Sequence, residues 1–274
     1  MKLVRFLTET RRVCTGVICE EDAGSARLLA STFPEAITVT KTVRKIHRLL
    51  APVTPPNILA LGLNYRRHAE ETRMDIPATP VLFMKATNSL IGPGQPIMLP
   101  AAGPDCVDYE GELAIVIGRR VRNVSPEGAR DTILGYTCAN DVSARDWQFA
   151  KQSGQWIRGK SFDTFCPLGP WIVTPSDLPD PQNVRLRTLV NGTVVQEEST
   201  RDMIFPIPAI ISDLSRTMTL LPGTVILTGT PRGVGFARRP PVFLRDGDTV
   251  TVDIEGIGAL TNPVRREKYS PARQ

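Results

Sequence analysis

Val107-Asp108-Tyr109-Glu110-Gly111-Glu112-Leu113-Ala114-Ile115-Val116-Ile117 sets apolar residues or glycine at every odd position and carboxylates at the first three even ones. This is the two-residue period of a β-strand, in which alternate side chains share a face. Glu110 and Glu112 then start roughly 6–7 Å apart on one face, close enough to reach a single cation. Past Glu112 the same face turns apolar at Ala114 and Val116, so the strand runs into an interior on both sides. Carboxylates at the mouth of such a strand repel each other and lose hydration, which is costly unless a cation compensates. A metal ion would supply that charge.

Working outward, short segments rich in β-branched residues lie between turn signals at 58–63, 81–85, 133–138, 171–174, 185–190, 225–228 and 249–255, and each reads as a strand. Asn191-Gly192 joins 185–190 to 193–196 as a two-residue hairpin. Residues 65–73 read as a short helix. The longest helix is expected over 204–216, despite Pro206 and Pro208 near its start. In the first fifty residues, 3–7 and 13–19 read as strands and the rest as polar helical or loop material. Pro52, Pro55 and Pro56 then punctuate the chain, because closely spaced prolines cannot continue a helix. We therefore expect a small N-terminal domain over 1–55 and a main domain over 56–274. The 24 prolines and 21 glycines interrupt nearly every apolar run, so the expected class is α+β, β-rich, with short flanking helices.

The formal net charge is +5, but the basic residues fall in scattered groups such as Arg11-Arg12, Arg119-Arg120 and Arg238-Arg239. No concentrated stripe with interleaved aromatics is present, which argues against nucleic acid as a partner. A mild positive bias suits an acidic small molecule. The five cysteines form no C-x-x-C pair and lie mostly in apolar stretches, the pattern of a reducing compartment. The first residues lack the apolar region of a signal peptide, and no stretch approaches a membrane span. A cytoplasmic protein with no membrane partner is expected.

A third acidic group, Asp141, follows the apolar strand 133–138. Ser143-Ala144-Arg145-Asp146 fits a capping box, which predicts that a helix begins just after Asp141. Arg145 and Gln148 would share a face of that helix. Gly154-Gln155-Trp156-Ile157-Arg158-Gly159-Lys160-Ser161 satisfies the phosphate-loop pattern, but it has neither the preceding buried strand nor the following helix that a phosphate cradle needs. Nucleotide binding is rejected on that ground.

Taken together, Tyr109-Glu110-Gly111-Glu112-Leu113, Asn140-Asp141-Val142-Ser143-Ala144-Arg145-Asp146, Gly159-Lys160-Ser161-Phe162-Asp163 and Leu227-Thr228-Gly229-Thr230-Pro231-Arg232-Gly233-Val234-Gly235 resemble the fumarylacetoacetate hydrolase family, in the family's order. The resemblance runs from about residue 58 to 264. It implies a mixed β-roll or β-sandwich with a small N-terminal domain, assembled as a homodimer, with a divalent ion on Glu110, Glu112 and Asp141. All-carboxylate ligation favours Mg²⁺ or Mn²⁺ over zinc, and His47 and His68 are the only histidines. The resemblance also implies that Lys160 and Arg145 are the cationic groups around the substrate, with Gln148 beside them. Gly229 and Thr230 fall in a loop that would bind a substrate carboxylate or carbonyl. Asn64-Tyr65-Arg66-Arg67-His68-Ala69-Glu70-Glu71 is similar to a lid segment in which Tyr65 faces substrate and His68 pairs with Glu71 as acid and base. Glu70 is a competing partner.

The expected substrate is a small 2-oxo acid or 1,3-dicarbonyl compound. The first expectation is hydrolytic carbon–carbon cleavage through a metal-stabilised enolate, with water activated by His68 and Glu71. The alternative is oxaloacetate enol–keto tautomerisation, isomerisation or decarboxylation on the same site. Residues 145–148, 159–170 and 239–244 look closest to the family's domain-containing-protein-2 branch, which is associated with oxaloacetate tautomerisation. A catalytically silent binding protein is the remaining possibility, and it would predict a missing ligand or a broken His–Glu pair.

Overall fold

The chain's structure, a computed structural model, describes residues 1–30, 33–150 and 154–268. The first fifty residues form five strands: β1 (Lys2–Leu7), β2 (Val13–Ile18), β3 (Ser25–Leu29), β4 (Val39–Lys45) and β5 (Arg48–Leu49). The polar helical or loop material expected after residue 19 is therefore corrected to strand. The reason lies in composition: β4 carries Val39, Thr40, Thr42 and Val43, whose branched side chains suit a pleat, and it pairs antiparallel with β3.

Next come β6 (Ile58–Gly62), helix α1 (Arg66–Thr72), β7 (Val81–Lys85), β8 (Leu90–Ile91), β9 (Ile97–Leu99), β10 (Val107–Asp108) and β11 (Gly111–Ile117). A short helix α2 (Pro126–Ala129) leads to β12 (Ile133–Asn140) and β13 (Ser143–Ala144). Helix α3 (Ile157–Lys160) then precedes β14 (Cys166–Val173), β15 (Arg185–Val190), β16 (Thr193–Ser199) and helix α4 (Ile207–Thr217). The chain closes with β17 (Val225–Leu227), β18 (Thr249–Ile254) and β19 (Gly258–Arg266).

The main sheet runs in the order β4-β3-β2-β1-β14-β12-β11-β17-β6-β7, with β5 on β1 and β8 on β14. A second sheet, β16-β15-β18-β19-β9, packs against it. Between them lies the largest core, where Leu113, Ile115 and Ile117 of β11 meet Leu186, Val252, Ile254 and Leu260 of the second sheet. Ala114 and Val116 face the other way, into a separate core with Leu3, Ile58, Leu168 and Val225. Every residue of β11 is buried, as its double-sided apolar pattern predicts. No helix of the described residues is long and apolar enough to cross a membrane.

The Asn191-Gly192 hairpin forms as expected, with φ of 52° and 79° at the two central residues, the pair of positive values that a type I′ turn requires. Helix α4 begins at Ile207 rather than 204. Pro206 caps it and Pro208 sits in its first turn, the one place in a helix where a missing N–H costs nothing. Its Ile207, Ile210, Ile211 and Leu214 face the core.

The acidic strand is corrected in one respect. Residues 107–117 do not form one strand; the pleat breaks at Tyr109 and Glu110. Val107 and Asp108 pair instead with Ala144 and Ser143. That pairing also overturns the capping box, since Ser143 is extended and its hydroxyl donates to the Asp141 carbonyl at 2.8 Å. The turn that follows, Asp146–Ala150, is a π-helix.

At Gly111 the first sheet packs tightly against β15 of the second. A Cβ there would lie 2.0 Å from the Thr188 hydroxyl oxygen on β15, an oxygen that has no hydrogen-bond partner. Gly111→Ala is expected to cost about 1–3 kcal/mol by overpacking, and the double variant Gly111→Ala/Thr188→Ala to recover most of that loss. Urea denaturation of the three proteins measures both.

Candidate active site

Asn140 and Asp141, at the end of β12, close against the break before β11. The Asn140 side chain accepts from the Glu110 N–H at 2.9 Å, and the Asp141 N–H donates to the Glu110 carbonyl at 2.8 Å. These two bonds bring Glu110, Glu112 and Asp141 together, each buried, with one carboxylate oxygen apiece within 4.8 Å of the others. The sequence expectation of a trio is met in space, although it is reached through a strand break rather than a continuous pleat.

The surrounding cations are buried as well. Lys160 lies 2.6 Å from Glu110 and 2.7 Å from Asp141, while Lys85 lies 2.5 Å from Asp141 and donates to the Val142 carbonyl at 3.2 Å. Arg145 divides its guanidinium between Glu110 (2.6 Å) and Asp108 (2.9 Å), and donates to the Gln148 side chain at 2.8 Å. Its flat face lies 4.3 Å over the Phe236 ring.

Burial pushes the Glu110 carboxyl up, yet Lys160 and Arg145 outweigh it and hold the group at about 2. Burial also pulls the Lys160 ammonium down, but Asp141 and Glu110 more than reverse this and leave it above its ordinary value. Glu112 differs from both. Burial, then repulsion from Asp141 and Glu110, drives its carboxyl well above the usual range, and it makes no ion pair among the described residues. Its compensation is the Gly229 N–H, 2.7 Å away. Four buried carboxylates, counting Asp108, thus face three cationic side chains. A donor set of three clustered oxygens with a deficit of positive charge fits a hard divalent ion.

One cavity opens on this cluster, lined by His68, Phe83, Glu110, Arg145, Gln148, Trp156, Lys160, Thr230 and Phe236 among others. The His68 ring nitrogen Nδ1 lies 3.3 Å from Glu71, and both Glu71 oxygens accept from the Gly233 N–H at 2.9 and 3.0 Å. Glu71, not the exposed Glu70, is the partner. Lys160, at the end of the single-turn helix α3, is committed to carboxylates, which agrees with rejecting a phosphate loop.

Two expected substrate contacts are placed differently. Tyr65 is wholly buried in the main core, does not line the cavity, and its hydroxyl has no hydrogen-bond partner. Gly229 faces Glu112 rather than the cavity. Thr230 lines the cavity, but its hydroxyl proton is directed to the Gly111 carbonyl at 3.0 Å and cannot also be given to a substrate. Sequence reasoning missed Lys85, Asn140 and Gln196, and saw Asp108 only as one more acid. The available signals were weak: Lys85 ends an apolar strand, Asn140 precedes an acidic residue, and Gln196 follows a hairpin.

A family model described as fumarylacetoacetate (FAA) hydrolase C-terminal matches residues 57–265. The mitochondrial oxaloacetate tautomerase fahd2 of Xenopus laevis is 49% identical over 217 residues, covering 79% of this chain and 68% of the relative. Among solved structures, a 5-carboxymethyl-2-hydroxymuconate delta-isomerase from Mycobacterium smegmatis superposes with a TM-score of 0.85 at 45% identity, covering 97% of this chain and all of the other. A 2-hydroxyhepta-2,4-diene-1,7-dioate isomerase from Mycobacterium marinum gives 0.83 at 44% identity, with 98% and 100% covered.

Proposed function

The chain belongs to the fumarylacetoacetate hydrolase family, and from that premise we propose that it is an Mg²⁺- or Mn²⁺-dependent tautomerase or isomerase of small 2-oxo dicarboxylic acids of the oxaloacetate type. The observation that carries this reading is the buried trio Glu110, Glu112 and Asp141, which reaches a cavity through Glu110, where Lys160 and Arg145 line the same space. Hydrolytic carbon–carbon cleavage, the first expectation from sequence, would use the same cavity, but the relatives described above, at 44–49% identity, carry tautomerase and isomerase names.

Glu110, Glu112 and Asp141 would hold a dication, and its chemistry there would be Lewis-acid polarisation of an oxo group. The protein's own groups do the rest. Arg145 offers a fixed guanidinium to a substrate carboxylate, and the Thr230 backbone N–H, which has no acceptor among the described residues, offers a second donor. Lys160 keeps its proton at Nζ between Glu110 and Asp141 and acts as a fixed positive charge beside oxygen that gains electron density. Interconversion of keto and enol forms moves one proton between carbon and oxygen. With Nδ1 turned to Glu71, His68 is left with Nε2 to take up or release that proton. Phe83, Trp156 and Phe236 exclude water from the same space.

We infer a homodimer as well. Met74, Ile76, Val81 and Met84 are exposed on and just before β7, the terminal strand of the main sheet, and an apolar group on a bare sheet edge is the kind of surface that a second copy covers.

A panel of oxaloacetate, acylpyruvates and fumarylpyruvate, assayed with and without Mg²⁺, tests the reading. Metal-dependent enol–keto conversion of oxaloacetate is expected, with His68→Asn slower by about 10²–10⁴. Cleavage of acylpyruvates without tautomerase activity would overturn it.

A further inference from the structure

We infer that Gln196 is a positioning residue for both the acidic trio and the Thr230 loop, acting through a closed ring of hydrogen bonds around Gly111. Gln196 lies on β16, outside the cavity lining, and is 1% exposed. Its Oε1 accepts from the Gly111 N–H at 3.0 Å, and its Nε2 donates to the Thr230 hydroxyl at 2.8 Å and to the Pro231 carbonyl at 2.9 Å. The Thr230 hydroxyl in turn donates to the Gly111 carbonyl at 3.0 Å.

The direction of every bond is forced. A backbone N–H only donates and a carbonyl only accepts, so Gly111 and Pro231 fix which end of the amide is oxygen. With Nε2 pointing at it, Thr230 must spend its own proton on Gly111. Gly111 stands between two members of the trio, and the ring takes hold of the peptide groups on both of its sides. The orientations of those peptides set where the Glu110 and Glu112 side chains depart. At its other corner the ring holds Thr230 and Pro231, inside the same turn whose Gly229 N–H bonds Glu112 and whose Gly233 N–H bonds Glu71. One buried amide therefore ties three parts of the site to a single geometry: the two glutamates, the cavity-lining Thr230 and the partner of His68.

This inference rests on the proposed metal site, and its test is a binding measurement rather than turnover. Gln196→Met preserves volume and removes all three bonds; Thr230→Val breaks the ring at another corner. Mn²⁺ titration followed by electron paramagnetic resonance is expected to show 10–100-fold weaker binding in each, the range seen when groups that orient metal ligands are lost. Because the ring acts as one unit, the double variant should lose no more than the weaker-binding single variant. Cooperative thermal melts check folding, and where Gln196→Met fails that check, Thr230→Val alone carries the comparison. Binding within twofold of the parent in the folded single variants, or fully additive losses in the double variant, overturns the inference. A parent protein that takes up no Mn²⁺ overturns instead the metal reading on which it stands.

Discussion

Turnover of oxaloacetate by Glu112→Gln is expected to fall by about 10³, because losing several kcal/mol of Lewis-acid stabilisation at tenfold per 1.36 kcal/mol amounts to that much. The same variant should show a change of opposite sign in the metal-free protein. Glu112 is buried, repelled by Asp141 and Glu110, and without an ion-pair partner among the described residues. Glutamine keeps the bond from the Gly229 N–H while removing the charge, so the metal-free melting temperature should rise by a few degrees. The parent's melting temperature should climb when Mg²⁺ is added after chelation, and the variant's should not. Thermal melts with EDTA and with Mg²⁺ give all four values, and a variant that melts lower without metal would show that the buried charge is compensated in some other way.

Lys160→Met is expected to do the reverse. It leaves Glu110 with Arg145 and Asp141 with Lys85 as their ion-pair partners among the described residues, in a place where water cannot make up the loss. Breaking a buried ion pair from one side costs about 3–5 kcal/mol, and the two remaining cations set the expected cost near 3. At roughly 2–4 °C per kcal/mol for a chain of this size, the metal-free protein should melt about 6–12 °C lower. Mg²⁺ should narrow that gap, since a dication restores positive charge at the same carboxylates. Activity should fall about 10²–10³, as when a preorganised electrostatic donor is removed. Two substitutions at neighbouring side chains thus move stability in opposite directions, which a generic loss of packing would not do.

The Glu110–Glu112 pair could be read in the sequence because alternation is a local property: their spacing, and the apolar face beyond them, depend on residues within one segment, whereas Asp141 joined them through the family resemblance. The strand break at Tyr109 and Glu110 could not, because it is made by Ser143 and Ala144 pairing with Asp108 and Val107 from more than thirty residues away. The same long-range pairing defeated the capping box, whose four residues match the pattern but whose serine is pulled into an extended conformation. His68 and Glu71 were paired by the family resemblance at a spacing that suits a helix face, and the choice between Glu70 and Glu71 waited for the structure. The bond from Gly233 that fixes Glu71 was not legible, nor was Gln196, since each joins segments that only the folded sheets bring together. Lys85 shows the limit most plainly: a lysine closing an apolar strand looks like a surface residue until the sheet order places it beside Asp141.

The position of β17 bears on how the chain is made. It lies between β6 and β11, pairing parallel with one and antiparallel with the other, although both precede it by more than a hundred residues. On a ribosome adding about 5–20 residues per second, β6 and β11 therefore emerge roughly 5–30 s before the strand that separates them. Through that interval each presents an open edge to the crowded space around the nascent chain. The carboxylate cluster, complete in sequence by residue 141, also waits for the second half of its enclosure. Vectorial synthesis thus gives this protein a window in which mutations of β17 would be felt first as lost protein rather than as lost catalysis.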